Sequence, residues 1–352
     1  MNQAIKQREL QNCGTVKTLM MLLVVVGHCA TACSGKGWFT VAPESRSAVL
    51  SFISSFTGMY HVQTFLFVSG YLFYYLRYEL GRYSDISEFV KKKSLRLLAP
   101  FLFACLWAIP AYIYFFRPEL SVFIKKFVIC ENPAQLWFLL ALFWIYIAFY
   151  FLSRLLDKFD FFKKMSLVTA VILLAGFCAL SLGNYVIYKF VKINLFSVLT
   201  GLRYFPLFFA GFIFRKFDFE KLNKFSIPLL IFSAAATVIY NRFAHGTVET
   251  LLQVPLWILN STAMFIFITK YVSLKGRLFE IFKKHNFTVY LLHQQLIYVI
   301  IYLISRFWRV YPYPSFFICL AGSLVISVAL SALFAKFKLT STILGLKAEN
   351  KQ

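Results

Sequence analysis

Apolar residues in this chain come in long uninterrupted runs, not in the short alternations of a half-buried strand. A stretch of roughly 20 apolar residues crosses the hydrocarbon core of a bilayer as a helix. Ten such stretches run at about 17–34, 58–76, 97–116, 135–154, 165–182, 199–215, 225–241, 252–272, 286–305 and 315–336. The pattern predicts an all-α polytopic bundle of about ten transmembrane helices, and an even count puts both termini on one side. No connection is long enough to fold as a soluble unit. One integral membrane domain is therefore expected over 1–352, with its core at about 17–336.

Charge gives the bundle a direction. With the N-terminus inside, 26 of the 37 Lys and Arg residues fall in the inner segments, 10 in the outer loops and Arg203 inside the sixth span. Cytoplasmic loops collect Lys and Arg, so this asymmetry predicts cytoplasmic termini and a multi-pass protein of the plasma (inner) membrane, in contact with its lipids. It also changes the meaning of composition. The chain is 60% hydrophobic and 20% aromatic with a net charge of +23, a balance that in a soluble protein would point to nucleic acid. Here most of it is topology, and no nucleic-acid partner is expected. Lys6 and Arg8 ahead of an apolar run ending Ala30-Thr31-Ala32-Cys33 loosely mimic a signal peptide. His28 within the run and nine later spans argue against cleavage. The seven cysteines show no metal-ligand spacing, so no metal site is expected; Cys33 and Cys130, both outward in this topology, are the pair that an oxidising compartment could join.

The polar residues inside the spans are few. All fourteen Asp and Glu residues fall in loops or tails, which disfavours a proton- or sodium-coupled transporter built on buried carboxylates and any paired-carboxylate hydrolase. Histidine is what remains: His28 in the first span, His61 at the outer start of the second and His293 in the ninth, beside Gln294 and Gln295. A neutral imidazole in the membrane suits a general base, although a histidine bonding two packed helices would look the same in sequence. Lys17 and His28 are eleven residues apart, which on a helix brings them to within about 20° of one face with roughly 16 Å between them. Lys91, Lys92, Lys93 and Arg96 form the densest basic cluster, equally suited to anionic lipid or to phosphates. Arg203, in Arg203-Tyr204-Phe205-Pro206, has no carboxylate in any span to meet and must bind a loop acid, carbonyls, water or a substrate group. Asn260, Ser261 and Thr262 read either as polar function or as helix-packing contacts.

Taken in order, these segments resemble the acyltransferase family 3 integral membrane proteins. Lys17-x10-His28 is similar to the basic-x10-His signature of the family's first helix, and His61-Val62-Gln63-Thr64-Phe65-Leu66-Phe67-Val68-Ser69-Gly70 to its second-helix motif. Lys93-Ser94-Leu95-Arg96-Leu97-Leu98-Ala99-Pro100, Leu136-Trp137-Phe138-Leu139, Arg203-Tyr204-Phe205-Pro206 with Gly211, and Tyr290-Leu291-Leu292-His293 follow in the family's order. Lys17 stands where Arg is commoner, and Gln63-Thr64 replaces the usual Met-Pro.

The resemblance implies a membrane O-acyltransferase that moves an acyl group, most often acetyl, from acyl-CoA to a hydroxyl of a surface polysaccharide or its lipid-linked precursor. It implies His28 and His61 as catalytic residues, Lys17, Lys93 and Arg96 as the site for the phosphates of acetyl-CoA or another acyl-CoA, and Arg203, Tyr204 and His293 on the acceptor. Whether transfer is direct or passes through an acyl-histidine stays open at this level. A flippase for a lipid-linked glycan is the alternative that ten helices would serve equally well.

Overall fold

The computed structural model describes residues 3–35 and 43–346. Lys36, Lys347 and Lys351, three of the cations in the topology count, lie outside the described residues, as do the side chains of Lys6 and Arg8. Helix α1 spans Gln3–Cys33 and α2 Ala48–Gly58. Helix α3, His61–Tyr74, runs into a π-helical turn at Tyr75–Glu79; α4, Ile86–Lys93, passes through a second such turn at Ser94–Leu98 into α5, Ala99–Phe116. The short α6, Leu120–Phe123, and a third π turn at Ile124–Val128 lead to α7, Trp137–Asp157. Then follow α8 (Phe161–Lys164), α9 (Leu167–Val191), α10 (Val198–Lys216), α11 (Ser226–Phe243), α12 (Gly246–Tyr271), α13 (Arg277–Phe307), α14 (Pro312–Phe334) and α15 (Lys338–Ile343). No strand occurs among the described residues.

All ten expected spans are helical, but nine helical stretches among the described residues are long and apolar enough to cross a membrane. The exception is the expected second span. Helix His61–Glu79 carries His61, Gln63, Arg77 and four tyrosines, too many polar groups to face lipid. It has no need to, because α3 sits at the centre of the bundle, packed on α10, α1 and α12. Around it the apolar windows of α13 and α7 are 72% and 67% buried, whereas those of α9 and α11 are only 17% buried and form the lipid-facing flank. Local signals set several starts: Ser47, Asp85 and Ser166 each accept a backbone N–H three residues on, capping α2, α4 and α9.

Among the described glycines, those at the contact between α3 and α10 leave the least room for a side chain. A Cβ added to Gly70 would stand 1.7 Å from the carbonyl oxygen of Phe208, and one added to Gly211 would stand 1.8 Å from that of Phe67. Two glycines, one per helix, bring the backbones into direct contact, as small residues do in membrane helix pairs. Aromatic rings close the seam on either side: Phe73 packs edge-on against Phe208, and Phe67 against Phe214.

The seven cysteines are free thiols, so the Cys33–Cys130 bridge is not formed. Cys33 meets Cys319 instead, because α1 packs on α14. Asn260 is a packing contact: its amide donates to the carbonyl of Met59 and to Thr237 Oγ1.

Substituting alanine at Gly70 or Gly211 must force the helices apart. Each variant should lose at least about 2 to 3 kcal/mol of stability. Gly176→Ala and Gly183→Ala, where an added Cβ meets nothing within 4 Å, should be neutral or raise stability by up to about 1 kcal/mol. Thermal unfolding in detergent, followed by size-exclusion chromatography, separates the two classes.

Candidate active site

Two cavities lie end to end inside the bundle. The first, of about 640 Å³, opens among the segments that the basic-residue count assigns to the inner side; the second, of about 520 Å³, lies among the outer segments. They share Val24, Val62, Phe138 and Tyr290 as lining residues, so this ring from α1, α3, α7 and α13 is their common wall. Phe138 and Tyr290 meet edge to face across it at 5.9 Å.

Helical spacing places α1 along both cavities. Lys17, Met21 and Val24 line the inner one, and Val24 and His28 the outer one. Steps of three and four residues keep one helix face, so Lys17 and His28 do share a face, as their spacing predicts. Helix α13 runs alongside in the same way, with Lys283, Phe287 and Tyr290 inner and Tyr290, Gln294 and Tyr298 outer.

Three histidines meet beside the ring. His28 Nδ1 lies 2.9 Å from His293 Nε2, with the rings stacked at 5.0 Å. His293 Nδ1 lies 3.0 Å and 2.8 Å from the carbonyl oxygens of Val289 and Tyr290. Carbonyls only accept, so this Nδ1 carries the proton and Nε2 of His293 is an acceptor. His28 Nδ1 must then be the donor, and a neutral His28 has Nε2 as its basic nitrogen. His61 is wired the other way. It occupies the first turn of α3, where backbone N–H groups have no intrahelical acceptor, and the Val62 N–H donates to His61 Nδ1 at 2.7 Å. His61 therefore carries its proton on Nε2. That nitrogen stands 3.6 Å from where a Cβ on Gly27 would be, next to His28 along α1. The arrangement supplies one imidazole acceptor and one imidazole donor within a single cavity.

Five cations line the inner cavity, Lys17, Lys92, Arg96, Lys283 and Lys284, and no carboxylate does. Lys93 is not among them. Its ammonium is buried 3.4 Å from the centre of the Tyr146 ring, with Tyr83 and Phe89 at 5.1 and 5.4 Å. On a regular α-helix Lys93 and Arg96 would share a face; the π turn at Ser94–Leu98 rotates them apart, sending Arg96 to the cavity and Lys93 into an aromatic cage.

Arg203 and Tyr204 line neither cavity. Arg203 donates to Gln253 Oε1 and lies over the Trp257 ring, a side-chain amide partner that its sequence context does not announce. Tyr204 is stacked between Trp137 and Trp257 at 5.3 and 5.0 Å, and touches the outer cavity only through Trp137, which lines it. Sequence reasoning overlooked Lys283 and Lys284. The available signal was positional: α1 and α13 each carry a cation ten or eleven residues ahead of the histidine, Lys17 before His28 and Lys283 before His293. Gln135, also overlooked, ties α13 down by donating to the Leu291 carbonyl and to Gln295 Oε1 while its own carbonyl accepts from Tyr290. Among the described residues no group of three or more His, Cys, Asp or Glu side chains is placed to hold a metal ion.

A family model described as an acyltransferase domain matches residues 15–332. The chain belongs to the acyltransferase 3 family. No curated protein and no solved structure matches it. The match covers all three histidines, the whole lining of the outer cavity and all of the inner one but residues 342–345, and the protein is a multi-pass membrane acyltransferase.

The proton positions in this acyltransferase can be read directly. Nitrogen-15 spectra of histidine-labelled protein should show Nδ1–H rings for His28 and His293 and an Nε2–H ring for His61. Nε2–H at His28 would break the wiring described above.

Proposed function

We propose that this membrane acyltransferase transfers an acyl group, acetyl in the simplest case, from acyl-CoA in the inner cavity to a hydroxyl of a cell-envelope glycan or its lipid-linked precursor in the outer one. The observation that carries the reading is the opposed wiring of His28 and His61 at the junction of the cavities. The inner cavity fits the donor's chemistry: five cations and no acid suit the phosphates of CoA, and the apolar ring beyond them suits a thin, uncharged acyl-pantetheine arm. The outer cavity carries aromatic and amide side chains, Tyr112, Trp137, Gln135 and Gln294 among them, the mixture that holds a sugar by its faces and hydroxyls.

In this mechanism His28 Nε2 takes the proton from the acceptor hydroxyl as its oxygen attacks the thioester carbonyl. His61 Nε2–H donates to the carbonyl oxygen as it gains charge. When the carbon–sulfur bond breaks, His28 returns the proton to the departing thiolate, leaving free CoA and the acylated sugar. His293 acts through His28, holding the ring and its proton on Nδ1. EC class 2.3.1 and a place in the plasma membrane, with the CoA side facing the cytoplasm, follow from this reading together with the positive-inside count.

The test is acceptor-dependent release of CoA by purified protein given acetyl-CoA and envelope glycan. His28→Ala should lower kcat about 10²- to 10⁴-fold and His61→Ala about 10²- to 10³-fold, both with intact folding. Near-normal turnover by the His28 variant, or glycan movement across vesicles without CoA release, defeats the proposal.

The donor site has its own signature. Arg96→Ala and Lys17→Ala should raise KM for acetyl-CoA by roughly tenfold or more with kcat little changed, as expected for a lost charge-assisted hydrogen bond. Lys93→Met should leave that KM unchanged and lower thermal stability instead, because its partners are rings.

A further inference from the structure

Charge is distributed very unevenly between the two cavities. Against five cations in the inner one, the outer cavity is lined by a single charged side chain, Lys126, and by no carboxylate. Lys126 sits in the π turn that follows α6, half-buried, and its position is set by two contacts. Its Nζ donates to the carbonyl of Asn132 at 3.1 Å and lies 5.4 Å from the centre of the Tyr112 ring. Neither contact cancels a unit charge. The acid closest in sequence, Glu131, does not line the cavity and turns to accept from Tyr188 Oη at 2.6 Å. Asn132 and Tyr112 line the same cavity as Lys126, so the ammonium is held against its wall. The ammonium is in contact with a carbonyl and a ring and feels the charge of Glu131 from farther off, but no carboxylate pairs with it directly, so it is an incomplete ion pair.

We infer that the acceptor brings the missing charge: the outer cavity recognises a glycan bearing an anionic group, a sugar carboxylate or a sugar phosphate, and Lys126 receives it. This deepens the acyl-transfer reading and rests on it for the word acceptor. Recognition itself is independent of turnover. The hydroxyl to be acylated lies at His28, on the ring side of the cavity, and the anion at Lys126 orients the sugar so that this hydroxyl, and not another, is presented. Lys126 is a specificity-determining residue in this scheme and takes no part in proton transfer.

The experiment uses full-length protein in nanodiscs and three matched probes: methyl glucoside, methyl glucuronide and glucose 1-phosphate. Binding is measured without donor, and acetyl transfer separately with acetyl-CoA. At least one anionic probe should bind roughly tenfold or more tightly than the neutral glucoside, the scale of a hydrogen bond to a charged group. The preferred anion identifies carboxylate or phosphate. Lys126→Met should abolish the preference and leave glucoside binding unchanged, and Lys126→Arg should retain it. Equal binding of all three probes, no binding of any, or a preference that survives Lys126→Met overturns the inference. Preferential binding with no acetyl transfer to any probe leaves anion recognition standing and counts against acyl transfer instead.

Discussion

The backbone contact between α3 and α10 at Gly70 and Gly211 is the constraint on which the site depends. A membrane removes the hydrophobic drive for helices to associate, since lipid tails are as apolar as the side chains they would replace. What holds two helices at a fixed height and rotation is close packing, and at this crossing a glycine of each helix lies directly against a backbone carbonyl of the other. The crossing locks α3, whose first turn holds His61 nine residues before Gly70. Because α3 is buried by α10, α1 and α12, its polar side chains have the interior as their only environment. A helix too polar for lipid and a site that needs polar groups inside the membrane are two consequences of the same packing.

Within that interior the proposed mechanism handles protons without acids. Carboxylates are absent from both cavities, and the acids paired with Arg77 and Arg215, namely Asp157, Glu9 and Glu79, sit toward the ends of their helices. In soluble acyl-transfer sites a carboxylate commonly orients the catalytic histidine. On the proposed mechanism the orienting group would be a second histidine, His293, itself fixed by two carbonyls at 3.0 and 2.8 Å. Backbone dipoles cost nothing extra to bury, because a helix already carries them, whereas an ionised carboxylate in hydrocarbon is expensive. The substitution of carbonyls for a carboxylate is thus what the membrane as solvent demands.

How much of this was legible beforehand follows from which interactions are local. The helical bundle rests on composition over about 20 residues, and the shared face of Lys17 and His28 rests on helical period alone; both are one-dimensional properties, and both are found in the fold. Lys93 was indistinguishable from Arg96 in sequence because the π turn that separates them leaves no compositional mark. The partner of Arg203 is Gln253, fifty residues away, and any of the polar groups in four neighbouring helices would have fitted the sequence equally well. The histidine wiring depends on distances of a few ångströms between α1 and α13, 265 residues apart. The same holds for Cys33, which lies beside Cys319 because helices pack as neighbours, a fact that loop topology did not contain.

The wiring also bears on how charge moves if His28 is the base. An imidazolium formed at His28 would face a neutral His293 and, behind it, two carbonyl dipoles, with no full negative charge to balance it. Such a cation is costly in a low dielectric and is stabilised for as long as an anion stays close, which on the proposed path means the oxyanion beside His61 and then the departing thiolate. The arrangement therefore favours prompt return of the proton over a long-lived charged intermediate. It also disfavours an acyl-histidine at His28: acylating Nε2 while Nδ1 keeps its proton for His293 would leave a fixed positive charge on the ring, with no nearby carboxylate to offset it. Direct attack by the acceptor avoids that state, and avoiding it requires donor and acceptor to be present together. Two cavities that meet at one ring of four side chains are an arrangement that permits this.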